Sequence, residues 1–216
     1  MKKISFSLLL VLTIVNYGCN TNETNQNPPQ QGEIVDQFRP RKLEQDTVEN
    51  TTPTLTEEEK LIKEGWDKAS INNGIMPDCY NYTPKYGNLD NELAVTVGGG
   101  TDVAVKVMSL SSDRCIRYIY INSGNTYSIK NIPEGTYYLK IAYGRNWFTR
   151  TLNGICEGKF LANALYEKGE DTLDFNRQVT NEGYNIPSFS LRLDVTSGST
   201  DNTFNSNGIS EEDFNN

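Results

Sequence analysis

The chain has 216 residues, with 20 basic and 28 acidic side chains, no histidine and a net charge of −8. Without histidine, Ser-His-Asp and Cys-His catalysis and every histidine-based metal site are excluded. An isoelectric point near 4.7 and the lack of a basic block argue against nucleic acid as a partner.

Lys2 and Lys3 precede Ile4 to Val15, a mostly apolar run of 12 residues. That run is too short to span a bilayer core, which needs about 20 residues, but it fits the apolar region of a secretory signal. Asn16-Tyr17-Gly18-Cys19 follows, with a small residue directly before a cysteine. This resembles the cleavage box of bacterial lipoproteins, with Asn16 where that family usually carries an aliphatic residue. The resemblance implies removal of residues 1–18, lipid on Cys19 and attachment of the chain to the bacterial cell envelope. Asn20 in place of the aspartate that often signals inner-membrane retention points to the outer membrane. Two or more acyl chains would make the membrane partnership stable, whereas one holds only marginally.

Residues 19–55 are dominated by Asn, Gln, Thr, Pro and Glu, with few substantial hydrophobes. Such a stretch cannot bury enough apolar surface to offset its ordering entropy, so it reads as a flexible tether of roughly 35 Å mean span. Residues 20–59 hold 9 acids and 3 bases, whereas residues 60–200 hold 15 of each. The negative charge therefore belongs to flanking segments rather than to a binding face. Asp46-Thr47-Val48 resembles a short bacterial O-glycosylation motif, which makes Thr47 a candidate acceptor.

Thr56-Glu57-Glu58-Glu59 has the form of a capping box, and three acids suit the first turn of a helix. Ile62, Trp66 and Ala69 share a face at helical spacing, and Asn72-Asn73-Gly74 supplies a stop. The pattern predicts one short helix within 56–74. Residues 75–90 lack periodicity but carry Tyr80, Tyr82 and Tyr86, candidate ligand-facing aromatics that would suit a glycan.

From residue 91 the apolar period becomes two. Leu93, Val95 and Val97 alternate, then Val103, Val105 and Val107. Cys115 to Ile121 is apolar on both faces, which predicts a central strand. Tyr127 to Ile132 reads as a short strand, Pro133-Glu134-Gly135 as a turn, and Tyr137 to Tyr143 as a core strand. Asn153-Gly154 signals a hairpin. Cys156, Phe160, Leu161 and Leu165 read as a loop or helical turn over one end. Phe175, Arg177 and Val179 form a weaker strand, and Phe189 to Val195 a clean half-buried one. About seven strands with turns every 8–12 residues predict a mainly β fold, an antiparallel β-sandwich over 75–198. Residues 199–216 read as a mobile tail.

Thr126 to Ile141, with its Ile-Pro-Glu-Gly-Thr-Tyr-Tyr-Leu segment, resembles the carboxypeptidase regulatory-like, or prealbumin-like, domain. That resemblance implies a β-sandwich and an accessory role without catalysis. Glu167, Glu170, Asp171 and Asp174 form an acidic stretch, but they lack the Asp-x-Asp-x-Asp-Gly spacing of a calcium loop. No catalytic, metal or cofactor set is expected. The leading expectation is a non-enzymatic envelope lipoprotein presenting a binding module for a protein or glycan. The alternatives are a carbohydrate-active enzyme or accessory subunit, and a structural subunit of a surface assembly. With Cys19 committed to lipid, three cysteines remain. Cys79 and Cys156 are the expected disulfide because both lie in predicted loops, while Cys115 opens a strand.

Overall fold

A computed structural model describes residues 54–77, 79–80, 83–196, 199–200 and 202–216. The expectations for the signal, for Cys19, for Thr47 and for Tyr82 lie outside the described residues. Over the described residues the chain is mainly β, built from mostly antiparallel sheets with two short helices. In order, the elements are α1 (Glu57–Lys63), β1 (Asp67–Lys68), β2 (Glu92–Val97), β3 (Asp102–Ser109), β4 (Cys115–Ile121), β5 (Thr126–Lys130) and β6 (Thr136–Leu152). Then come β7 (Ile155–Gly169), β8 (Leu173–Asp174), β9 (Gln178–Thr180), β10 (Gly183–Asn185), β11 (Phe189–Leu193), β12 (Val195–Thr196), β13 (Ser199–Thr200), β14 (Ser206–Gly208) and α2 (Glu211–Asn215).

One sheet runs in the order β14-β7-β6-β3-β4, with β1 and β8 also pairing with β6. A second sheet runs β11-β2-β5. The apolar sides of the two sheets meet in the main core. Leu93 and Val95 of β2, Val103, Val105 and Val107 of β3, Ile121 of β4, Ile129 of β5 and Ile141 of β6 are all buried there. These are the alternate positions that the period-two pattern selects, because successive side chains of a strand point to opposite faces.

The sandwich departs from the sequence expectation in several places. β11 pairs with β2 in parallel, Phe189 opposite Leu93 through Leu193 opposite Val97, so the fold is not purely antiparallel. β5 and β6 do not pair across the Pro133-Glu134-Gly135 turn; they belong to different sheets, and the turn carries the chain between them. The Tyr137 hydroxyl closes this turn by donating to the Pro133 carbonyl at 2.9 Å. β4 lies at the end of its sheet, not in the middle. Its double-sided apolar character arises because Ile71, Met76 and Tyr80 cover its outer face. Gly74 N donates to the Tyr120 carbonyl, Tyr120 N to the Ile75 carbonyl, and Lys85 N to the Ile116 carbonyl. This cover also protects an edge that would otherwise invite pairing with another chain.

The first helix is shorter than expected. Thr56 and Glu59 form the capping box, with Glu59 N donating to Thr56 Oγ1 at 3.2 Å and Thr56 N to Glu59 Oε2 at 2.8 Å. The helix stops at Lys63, and Gly65, at φ +84°, turns the chain. The buried face is therefore Leu61 with Trp66, while Ile62 is 55 % exposed. Trp66 packs with Leu61 and Phe148, which makes it a core residue.

The stretch after the Asn153-Gly154 turn is a strand, not a loop or helical turn. β7 runs 15 residues against β6, and Asn153 and Gly154 take the paired positive φ values, 53° and 78°, that a tight hairpin requires. The register between β6 and β7 shifts at Gly144, where an added Cβ would overlap Phe160. Beyond this irregularity Trp147 joins the same cluster as Ala142, although the two residues have opposite parity along β6.

The final segment is folded, not a mobile tail. β14 pairs with β7, and α2 carries its own capping box between Ser210 and Asp213. Phe214 of α2 is fully buried in a second apolar cluster with Ala104, Tyr118, Tyr120, Ala142, Trp147 and Phe160. That cluster lies on the face of the large sheet turned away from the main core. Ala104 and Ala142, small residues on neighbouring strands, leave space there for the aromatic rings.

Candidate functional site

Cys79 and Cys156 are joined as a disulfide, with Cα atoms 5.7 Å apart. The bond ties the segment before β2 to the start of β7. Cys115 stands outside it as a thiol, with Sγ donating to the Arg117 carbonyl at 3.0 Å. The bridge walls one side of a cleft of about 710 Å³ whose other lining includes Tyr80, Lys106, Arg114, Cys115, Tyr118 and Asn215.

Several segments distant in sequence build this cleft. Lys106 comes from β3 and Tyr118 from β4, directly opposite one another across the ladder. Tyr80 comes from the disulfide segment and Asn215 from α2. The Tyr80 ring meets Tyr118 edge-on at 4.5 Å between centroids, and its hydroxyl donates to Asn215 Oδ1 at 3.1 Å. Asn215 Oδ1 also accepts from Gly158 N at 3.0 Å. The side chain of Asn215 thereby links α2, β7 and the Tyr80 segment.

Lys106 is only 5 % exposed. Its Nζ donates to the Phe214 carbonyl at 2.6 Å and to the Asn215 carbonyl at 3.3 Å. It also lies 4.7 Å from the Phe214 ring centroid and 5.2 Å from that of Tyr118, within cation–π range. Lys140, its cross-strand neighbour on β6, donates to the Asp213 carbonyl at 2.7 Å. The two ammonium groups thus hold the carbonyl end of α2, where a helix favours positive charge. Burial pulls the Lys106 pKa down to about 8, and the Lys140 charge acts in the same direction. Burial likewise pushes the Tyr80 and Tyr118 hydroxyls well above the usual phenol range. The buried Tyr118 hydroxyl lies beside that of Tyr80 and interacts with it.

The two described tyrosines among those singled out in the sequence, Tyr80 and Tyr86, sit in different settings. Tyr80 is half-buried beneath α2. Tyr86 is 71 % exposed and lies under the Arg117 guanidinium, 3.8 Å from its ring centroid. Arg117 is buried and also donates from Nη1 to the Ile116 carbonyl at 3.0 Å, so it anchors the loop around Tyr86 to β4.

The acidic stretch is dispersed among structural partners. Glu167 is buried and its Oε2 accepts from the Tyr143 hydroxyl at 3.1 Å and from Asn202 Nδ2 at 2.7 Å. Glu170 accepts from Asn207, Asp171 from the backbone of Asn205, and Asp174 from Asn176. Among the described residues no group of three or more acids and cysteines could hold a metal ion.

Lys106, Tyr118 and Asn215 were not singled out as site residues in the sequence. Lys106 sits in Val105-Lys106-Val107, where alternation assigns it to water. A hint was present in Lys140, which occupies the same kind of position in Leu139-Lys140-Ile141. Compared with protein-family models, curated proteins and solved structures, the chain matches none.

Proposed function

We propose that this chain is a non-enzymatic lipoprotein of the bacterial cell envelope, anchored in the outer membrane through Cys19, whose β-sandwich serves as a binding module. The observation that carries this reading is the cleft over Lys106. It is of ligand size, it lies on the outer face of a sheet stapled by a disulfide, and aromatic and cationic side chains line it. A rigid framework around a recess favours binding because little freedom is lost when a partner arrives. The acids that could have served hydrolysis are spread over separate structural roles instead. The resemblance of residues 126–141 to carboxypeptidase regulatory-like domains points the same way.

Two measurements test the reading. Cys19→Ala should move the protein from the membrane fraction to the soluble fraction; unchanged partitioning would refute the anchor. The immobilised full-length chain should retain a component of solubilised envelope saturably and release it to excess soluble chain. Release of new reducing ends from envelope glycans would instead support the carbohydrate-active alternative.

A further inference from the structure

We infer that the cleft over Lys106 is a binding site for a small carboxylate ligand, an inference that rests on the binding-module reading above. The argument starts from charge. Among the described residues no carboxylate comes within ion-pairing distance of Lys106 Nζ, although the group is almost fully buried. Neutral carbonyls and ring faces stabilise it only in part, and a buried charge without a counter-charge is costly. Lys140 stands directly opposite on β6 and adds a like charge to the same face. At the rim, Arg114 contributes a further exposed cation. The one acidic side chain lining the cleft is Asp113, which accepts from the Tyr138 hydroxyl. Lys106 and Arg114 against Asp113 leave the lining side chains with one positive charge in excess.

Hydrogen bonding points to the same ligand. An ammonium has three donors, and two of those of Lys106 are directed to the Phe214 and Asn215 carbonyls. The third proton of the ammonium is left for a ligand. A carboxylate can accept from several donors at once, and charge-assisted bonds of this kind are the strong ones. The Tyr80 and Tyr118 rings and Met108 provide an apolar wall for the ligand body. A ligand bearing one carboxylate on a ring would match this combination of positive floor, buried donor and apolar wall.

The body attached to the carboxylate can be aromatic or a sugar, and the test separates the two. Benzoate and glucuronate, with benzamide and glucose as neutral controls, are titrated into the full-length chain in detergent micelles at pH 7 and followed by calorimetry. At least one carboxylate should bind saturably, and its neutral counterpart at least about tenfold more weakly. Preference for benzoate or glucuronate identifies the body. Arg114→Ala should weaken binding about tenfold. The variant should keep the wild-type melting curve, since Arg114 is exposed. Absence of saturable binding by both carboxylates, equal binding of the neutral controls, or full affinity in the variant would overturn the inference. If both carboxylates fail while envelope material is still retained saturably, the cleft assignment falls and the binding-module reading stands.

Discussion

The Cys79–Cys156 bridge closes a loop with a sequence separation of 77 residues. A cross-link over that length removes unfolded-chain entropy worth about 4.5 kcal/mol at 25 °C in the chain-entropy treatment. The double variant Cys79→Ser/Cys156→Ser is the right perturbation, because a single variant leaves a new thiol in the cleft that Cys115 also lines. With a urea slope of about 2 kcal/mol/M, the unfolding midpoint should fall by about 2 M. The slope itself should rise, since the unfolded chain without the bridge exposes more surface. Trp66 and Trp147, 2 % and 1 % exposed, are the two tryptophans of the chain and lie close to the bridged segments, so fluorescence reads this region directly. Circular dichroism reads the sheets. Coincident fluorescence and dichroism transitions would show that the bridge stabilises the whole sandwich. A fluorescence change that precedes the dichroism change would show that the bridge holds mainly the outer-face cover. A loss below about 1 kcal/mol with coincident transitions would refute the loop-closure argument.

Further outcomes follow from the outer face. Phe214→Ala should cost about 3–5 kcal/mol in chemical denaturation, since it empties a fully buried aromatic site; a cost below about 1 kcal/mol would mean that α2 is not docked. Gly158→Ala should destabilise measurably in thermal melts, because the new methyl would overlap the Trp147 ring. Stability should also depend on alkaline pH in two stages. Lys106 has a folded pKa near 8, below the unfolded value of about 10.4, so the unfolded chain binds the extra proton between these limits and stability should rise by up to about 3 kcal/mol. Tyr80, Tyr118 and Tyr143 have raised folded pKa values, with burial the largest cause. Above about pH 10 the unfolded chain therefore loses protons that the folded chain keeps, and each tyrosine should remove about 1.4 kcal/mol per pH unit. Urea midpoints measured from pH 7 to 11 check both stages, and Lys106→Met should abolish the rise while leaving the fall.

The main core was legible because alternation is a local signal. Leu93, Val95 and Val97, or Val103, Val105 and Val107, name their own buried face without reference to the rest of the chain. Where the sequence misled, it lacked the partner. Cys115 to Ile121 is apolar on both sides, and alternation alone reads such a run as central. The strand is instead at the edge of its sheet, with Ile71, Met76 and Tyr80 supplying the second covering. Residues 199–216 read as a tail because their composition is polar, and the scattered hydrophobes Phe204, Ile209 and Phe214 carry little weight in an average. One aromatic ring entering a prepared site, with two lysines gripping the adjacent carbonyls, is enough to dock five helical residues.

The cleft was less legible than the core for a related reason. Its walls come from Tyr80, from Lys106 and Tyr118, and from Asn215, segments brought together only by folding. Each of these residues has an ordinary local explanation: a loop tyrosine, an alternating strand lysine, a strand aromatic and a tail asparagine. Lys106 becomes unusual only once α2 and the Tyr80 segment close over it and remove its water. Had the same lysine remained on an uncovered sheet face, its charge would have been screened and its pKa ordinary. The covering segments therefore create the site as well as the second core, since the same contacts that bury Phe214 also strip solvent from the ammonium. Truncation before residue 206 should accordingly abolish carboxylate binding and return the Lys106 pKa towards its usual value, while the main core between the two sheets remains folded. Nuclear magnetic resonance of the lysine side chains would follow that pKa, and a value still near 8 after truncation would show that α2 is not what desolvates Lys106.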